Sequence, residues 1–229
     1  MEDRGLCAWD NFRNLGLMAL TFYYGSGSPY AWRVWLALEH KHVAYELKTM
    51  SFSAGDLRKP EYLAINPRCK VPAIVDAGFA LYESMAIVEY LDEQHAGPKL
   101  FPGDVRERAV IRRMVQETDQ YYALAMEKLV DQVLFTSPEK WDADLISEGP
   151  KGVTKELSLW ESSMRGDYLA GALSAADFTL YPLIALSVRM EKKKTDLGLR
   201  TAIGPKLAAW MQRIESLPYF QKTWPPHWK

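Results

Sequence analysis

At 229 residues the chain can bury one large core or two modest ones, and its 28 basic and 29 acidic residues leave a formal charge of -1. That balance gives no sign of a nucleic-acid or anionic-membrane partner held by bulk charge, so partners are recognised locally. Two cysteines, Cys7 and Cys69, are too few for a disulfide framework, which points to a reducing compartment and the cytoplasm, and no apolar run of about 18 residues predicts a membrane span.

Residues 1–17 mix acids and bases without the apolar stretch of a secretory leader, so they are expected to be an extension upstream of the fold, which begins near Met18. Ala19 to Tyr24 is rich in aromatic and β-branched residues and predicts a first strand. A Gly25-Ser26-Gly27 turn follows, with Ser28 as N-cap and Pro29 at the first position of a helix to about Lys41. Val43 to Thr49 predicts a second strand, and Gly55 to Leu63 a short irregular helix. Val71 to Val75 and Phe79 to Tyr82 form a hairpin, and Ser84 to His95 a helix. This β-α-β-α-β-β-α order predicts one small mixed sheet covered by helices over 18–97. The Gly- and Pro-rich stretch at 98–104 reads as a linker, and 105–229 as an all-helical region.

Within that region Val110, Met114, Thr118, Tyr121, Ala125, Leu129 and Val133 recur at helical spacing and predict one amphipathic helix over 105–135. Further helices are expected at 151–165, 175–191 and 204–216, with a last turn near 218–222. Ser174 and Asp177 have the spacing of a capping box, a folding device, with Leu173 and Phe178 as its hydrophobic staple. Lys192-Lys193-Lys194 reads as a solvated helix end. The histidines His40, His42, His95 and His227 lack ligand spacing and are expected at the surface or at caps, and no metal is expected.

Two devices in the hairpin point to a ligand. Pro72 cannot donate to a sheet and belongs at an edge or in a special turn. A cis Val71-Pro72 bond would turn the Val71 amide and carbonyl outward to pair with an extended peptide, whereas a trans bond would mark an ordinary edge. Ser84 as N-cap, with the amides of the first turn, would attract a carboxylate, and Glu83 an amine; simple helix capping is the alternative. Together they suit a small acidic peptide with a free amino-acid end.

SPYAWRVWLAL at 28–38, PEYLAINPRCKVPAIVD at 60–76, LYESMAIVEYLDE at 81–93 and LSAADFTL at 173–180, in that order, resemble the cytosolic glutathione transferases of the serine type, such as the tau, zeta and phi classes or related bacterial forms. The resemblance covers 18–229. It implies a thioredoxin-like N-terminal domain that holds glutathione as co-substrate, an all-α C-terminal domain lining the second-substrate pocket, and a homodimer. Val71 beside cis-Pro72 would pair with the cysteinyl backbone. Glu83 and Ser84 would hold the γ-glutamyl end, and Lys70 and Arg58 would meet the glycine carboxylate.

A free thiol titrates near 8.5, so a hydroxyl donating to sulfur at a helix N-terminus is needed to favour thiolate. Ser28 matches that position, with Ser26 as runner-up; Tyr23 and Tyr24 lie within or at the end of a strand. The second-substrate pocket should be apolar, with Tyr24, Tyr121, Tyr122, Ala125, Trp224 and Trp228 as candidates. Leu57 stands where many relatives carry histidine, and Cys69 where glycine is common. No Cys-x-x-Cys is present, which disfavours thiol exchange. The expected activity is addition of the glutathione thiolate to a small hydrophobic electrophile. The alternatives are a glutathione-dependent peroxidase or isomerase, or a binding protein that keeps the fold without turnover.

Overall fold

The computed structural model describes residues 20–228, so the expected extension at 1–17 lies outside the described residues. Strands β1 (Leu20–Gly25), β2 (Tyr45–Met50), β3 (Ala73–Asp76) and β4 (Phe79–Tyr82) form one sheet in the order β2-β1-β3-β4. β1 runs parallel to β2 and antiparallel to β3, and β3 pairs with β4 as a hairpin. Helices α1 (Pro29–His40), α2 (Pro60–Leu63) and α3 (Ser84–Gln94) complete the thioredoxin-like order read from the sequence. β3 is an inner strand, so of the two places expected for Pro72, an edge or a special turn, the chain takes the turn. Pro72 precedes its first residue, Ala73, and therefore removes no bond from the ladder.

The segment after α3 is anchored by a buried ion pair. Lys41 Nζ donates to Asp92 at 3.1 Å, and the same carboxylate accepts from the amides of Leu100 and Phe101 at 2.8 and 3.3 Å. Beyond it lie α4 (Val105–Glu117), α5 (Ala123–Val130), α6 (Ala143–Ser163), α7 (Ala175–Met190), α8 (Pro205–Glu215) and α9 (Phe220–Thr223). α4 and α5 belong to one helical run, but Thr118–Tyr122 and Asp131–Phe135 are π turns. A π turn carries an extra residue and rotates the buried stripe. Tyr122, Ala123 and Met126 are buried in consequence, while Tyr121 is 57% exposed. α6 starts at Ala143 rather than 151, because the Asp142 carboxylate caps it, accepting from the amides of Asp144 and Leu145 at 2.9 and 3.1 Å.

α7 is the central post of the helical region, buried along most of its length. The expected capping box at its start is present. Asp177 there accepts from the Leu169 and Ser174 amides, the Ser174 hydroxyl and the Trp210 indole, all at 2.8–3.0 Å. Burial nevertheless pushes its carboxyl up to about 6, against the pull of those donors. α1 joins sheet to helices. Its Trp32 is 1% exposed, stacks edge-on against Tyr181, Trp224 and Trp228, and donates to Thr223 Oγ1 at 3.0 Å.

Candidate active site

The site begins where β1 ends. Gly25 is buried and leaves space for its neighbours, since a Cβ there would come within 2.5 Å of the Phe52 ring and 2.8 Å of Val71 Cγ2. Ser28 follows as the N-cap of α1, its Oγ accepting from the Ala31 amide at 3.2 Å. An oxygen that accepts in this way keeps its own proton for a second partner. Ser28 is half-buried and borders an open cleft. It therefore combines a free hydroxyl proton with the positive end of a 12-residue helix.

The Val71-Pro72 bond is cis. Val71 lies two residues before the β3 ladder partners begin, and the step before it is held firmly: the Lys70 carbonyl accepts from Tyr62 Oη at 2.6 Å and Asn66 Nδ2 at 2.7 Å. The N-cap of α3 is Glu83 rather than the expected Ser84, because Glu83 adopts φ +70° and turns the chain sharply from β4 into the helix. A left-handed conformation at a non-glycine residue costs about 1–3 kcal/mol and recurs at ligand clamps. It presents the Glu83 carboxylate to solvent and leaves Ser84 as the first helical residue. Ser84 Oγ accepts from Arg33 Nη1 at 3.4 Å, and the same guanidinium grips Asp119 at 2.9 and 2.7 Å. Arg33 thus ties α1, α3 and the first π turn together.

Between the two regions opens a cleft of about 660 Å³. The sheet region lines it with Ser26, Ser28, Tyr30 and Phe52, the run that carries α5 with Met126, Val130 and Leu134, and α7 and the tail with Leu186, Arg189, His227 and Trp228. An apolar surface thus meets a hydroxyl that can hold an anion.

Residues 27–94 match the family model of the glutathione S-transferase N-terminal domain, and 118–218 that of the C-terminal domain. Glutathione S-transferase A of Pleuronectes platessa is 31% identical over 91% of this chain and 92% of its own. The chain belongs to the glutathione S-transferase family. Probable maleylacetoacetate isomerase 1 of Drosophila melanogaster is 30% identical over 93% of this chain and 84% of its own. The crystal structure of a glutathione S-transferase from the Antarctic clam Laternula elliptica superposes with a TM-score of 0.78 at 31% identity, covering 92% of this chain and 94% of that one. The protein is accordingly an enzyme that uses glutathione.

In this glutathione S-transferase, Val71-Pro72 and Glu83-Ser84 flank the paired residues Ala73 and Tyr82 at one end of the hairpin, with Arg68 reaching to 3.9 Å of Glu83. Lys70 and Arg58 are exposed on the stretch between β2 and β3. Cys69 has φ +54°, which explains physically why glycine suits that position. Of the six pocket candidates, Trp228 lines the cleft. The others are placed elsewhere. Tyr24 is 1% exposed against Trp35, Tyr122 is fully buried and bonded to Ser187, and Tyr121 borders a separate groove beside α6. Ala125 faces Gly152 of α6, and Trp224 packs on Trp32 and Phe220. Their places are taken by Met126, Val130 and Leu134, one face further round a helix whose phase the π turns shift. His227, expected at the surface or at a cap, instead lies on the cleft, with Nδ1 2.6 Å from Ser26 Oγ. Phe52, Arg33 and Arg189 also escaped the sequence reading, because their roles come from contacts between distant segments.

Proposed function

We propose that Ser28 holds the glutathione thiolate and that the cleft beside it receives a small hydrophobic electrophile. The observation that carries this is Ser28 itself, a helix N-cap on the cleft wall whose Oγ accepts from Ala31 and whose proton remains to be donated. Val71 pairs with the cysteinyl backbone, Ser84 and the free amides of α3 receive the γ-glutamyl carboxylate, Glu83 receives its amine, and Lys70 with Arg58 faces the glycine carboxylate. One charge-assisted hydrogen bond with a helix end supplies about the 2.7 kcal/mol that lowers a thiol pKa by two units. Division at 18–97, 98–104 and 105–229, assembly as a homodimer and a place in the cytoplasm belong to the same reading.

Ser28→Ala tests it. Turnover with an aryl halide should fall about 10–100-fold at pH 7, with the activity profile displaced to higher pH and glutathione affinity little changed. Unaltered turnover would transfer the role to Ser26.

A second reading, glutathione-dependent isomerisation of a cis double bond in an anionic substrate, is favoured by Arg189 and Lys193 on the cleft and by the relative named as an isomerase. The thiolate would add to the double bond, and the carbon–sulfur bond would break after rotation, regenerating glutathione. Parallel assays with an aryl halide and a cis-unsaturated keto acid separate the two.

A further inference from the structure

The tail from Pro226 to Trp228 forms a last turn over the loop that carries Ser26 and Ser28, and several contacts hold it there. Arg189 donates to the His227 carbonyl at 3.0 Å and the Trp228 carbonyl at 3.5 Å, and its guanidinium lies 5.0 Å from the Trp228 ring centre. Gly27, at φ +85°, makes room for the imidazole, because a Cβ there would approach its Cε1 to 2.7 Å. In that seat His227 Nδ1 meets the Ser26 hydroxyl at 2.6 Å.

The two serines therefore differ in what they can do. Ser28 accepts from a backbone amide and has a proton to give, whereas Ser26 faces an imidazole nitrogen that accepts its proton when the ring carries hydrogen on Nε2. Ionising a thiol releases a proton that must be placed, and His227 is the one histidine among the described residues lining the cleft. Burial first, and then Arg189, hold its pKa below the usual histidine value, so the ring is neutral and able to accept near pH 7. The other charged groups on the cleft are Lys193 on the turn after α7, and Glu127 and Asp131 opposite.

We propose that His227 receives the thiol proton of glutathione through the Ser26 hydroxyl, while Ser28 holds the thiolate. The proposal rests on the reading of Ser28 given above. The S–H bond breaks and its electron pair stays on sulfur. The proton passes to Ser26 Oγ as that hydroxyl's own proton moves to Nδ1, giving an imidazolium and restoring the hydroxyl. The imidazolium then releases its proton to water from the open side of the cleft. Ser26 is the relay, and His227 is a positioning residue that acts through it.

The test is stopped-flow mixing of the full-length protein with glutathione in the presence of a pH indicator, comparing His227→Asn, which keeps a polar group near Ser26 but cannot take a proton, with Ser26→Ala, which leaves the tail untouched. Each variant should slow proton release on the order of 10²-fold without reducing its final amplitude. kcat/KM should fall at pH 7 by at most about thirtyfold, because roughly 3% of free thiol is already ionised there, and the gap should close above pH 9. The double variant should be no slower than either single one. A loss equal at every pH, additive losses in the double variant, or parental release rates would each overturn the proposal. Ser28→Ala gives the separate control: a full release amplitude in that variant would sink the Ser28 reading, independently of the rates seen in the other two.

Discussion

Replacing Asp119 by Ala would strand a cation at the centre of the molecule. Arg33 is 1% exposed and Asp119 32%, and the pair is bidentate, at 2.9 and 2.7 Å. Removing one partner of a fully buried pair costs about 3–5 kcal/mol, whereas a solvated pair contributes about 0–1 kcal/mol. With one member a third open to water, the loss should fall between these, at about 2–3 kcal/mol. In a chain of this size that corresponds to a fall in Tm of roughly 5–10 °C. Little else compensates Arg33: its Nε is buried without a hydrogen-bond partner among the described residues, Ser84 Oγ is a distant acceptor at 3.4 Å, and the Tyr30 ring, 4.9 Å away, offers only a face. Asp119→Asn keeps one acceptor for one Nη and should lose about half as much. Guanidinium denaturation followed by tryptophan fluorescence measures both. A loss below about 0.5 kcal/mol in the Ala variant would show that water solvates Arg33 adequately and that the tie between α1, α3 and the π turn carries no weight.

Two further outcomes follow from the backbone and from burial. Cys69→Gly relieves a left-handed residue, a cost of about 1–2 kcal/mol, against an added unfolded-state entropy of about 0.5–1 kcal/mol, so stability should rise by up to about 1.5 kcal/mol, read from the denaturation midpoint. Asp177 has a folded pKa raised to about 6 from 3.8, so the folded state binds its proton more tightly; the stability this contributes is full below about pH 4 and is lost as pH rises through 6. Between pH 4 and 7.5 the parent should therefore lose on the order of 3 kcal/mol of stability relative to Asp177→Asn, and a difference that stays constant with pH would contradict the shift.

The strand and helix order of the first hundred residues was legible because each element carries its own local signature: aromatic and β-branched runs for strands, Ser28-Pro29 for the start of α1, Gly and Pro for the breaks. The cis step at Val71-Pro72 and the turn at Glu83-Ser84 were legible as special positions for the same reason, as they sit at element ends where local chemistry decides conformation. The second wall of the cleft was not. A stripe read at a uniform helical period does not anticipate the π turn at Thr118–Tyr122, and it points to Tyr121 and Ala125 where the structure lines the cleft with Met126 and Val130. Gly149-Pro150 reads as a break and predicts a helix start at 151, whereas the Asp142 cap lets α6 begin ahead of it. His227 was missed because its partner Ser26 stands 201 residues earlier, a distance over which only tertiary packing connects side chains.

The position of Trp32 limits how this molecule can be divided. Its indole, of the size that buries about 200 Å², belongs to α1 of the sheet region, yet its neighbours Tyr181, Phe220, Trp224 and Trp228 all come from the far end of the chain. A fragment ending in the linker would carry this ring, with no socket, on an open apolar face. The sheet region is consequently no free-standing module to be lent to other proteins. Any recombination that exchanges the helical half must bring a matching aromatic socket, or the fragment will aggregate through the surface that Trp32 leaves bare.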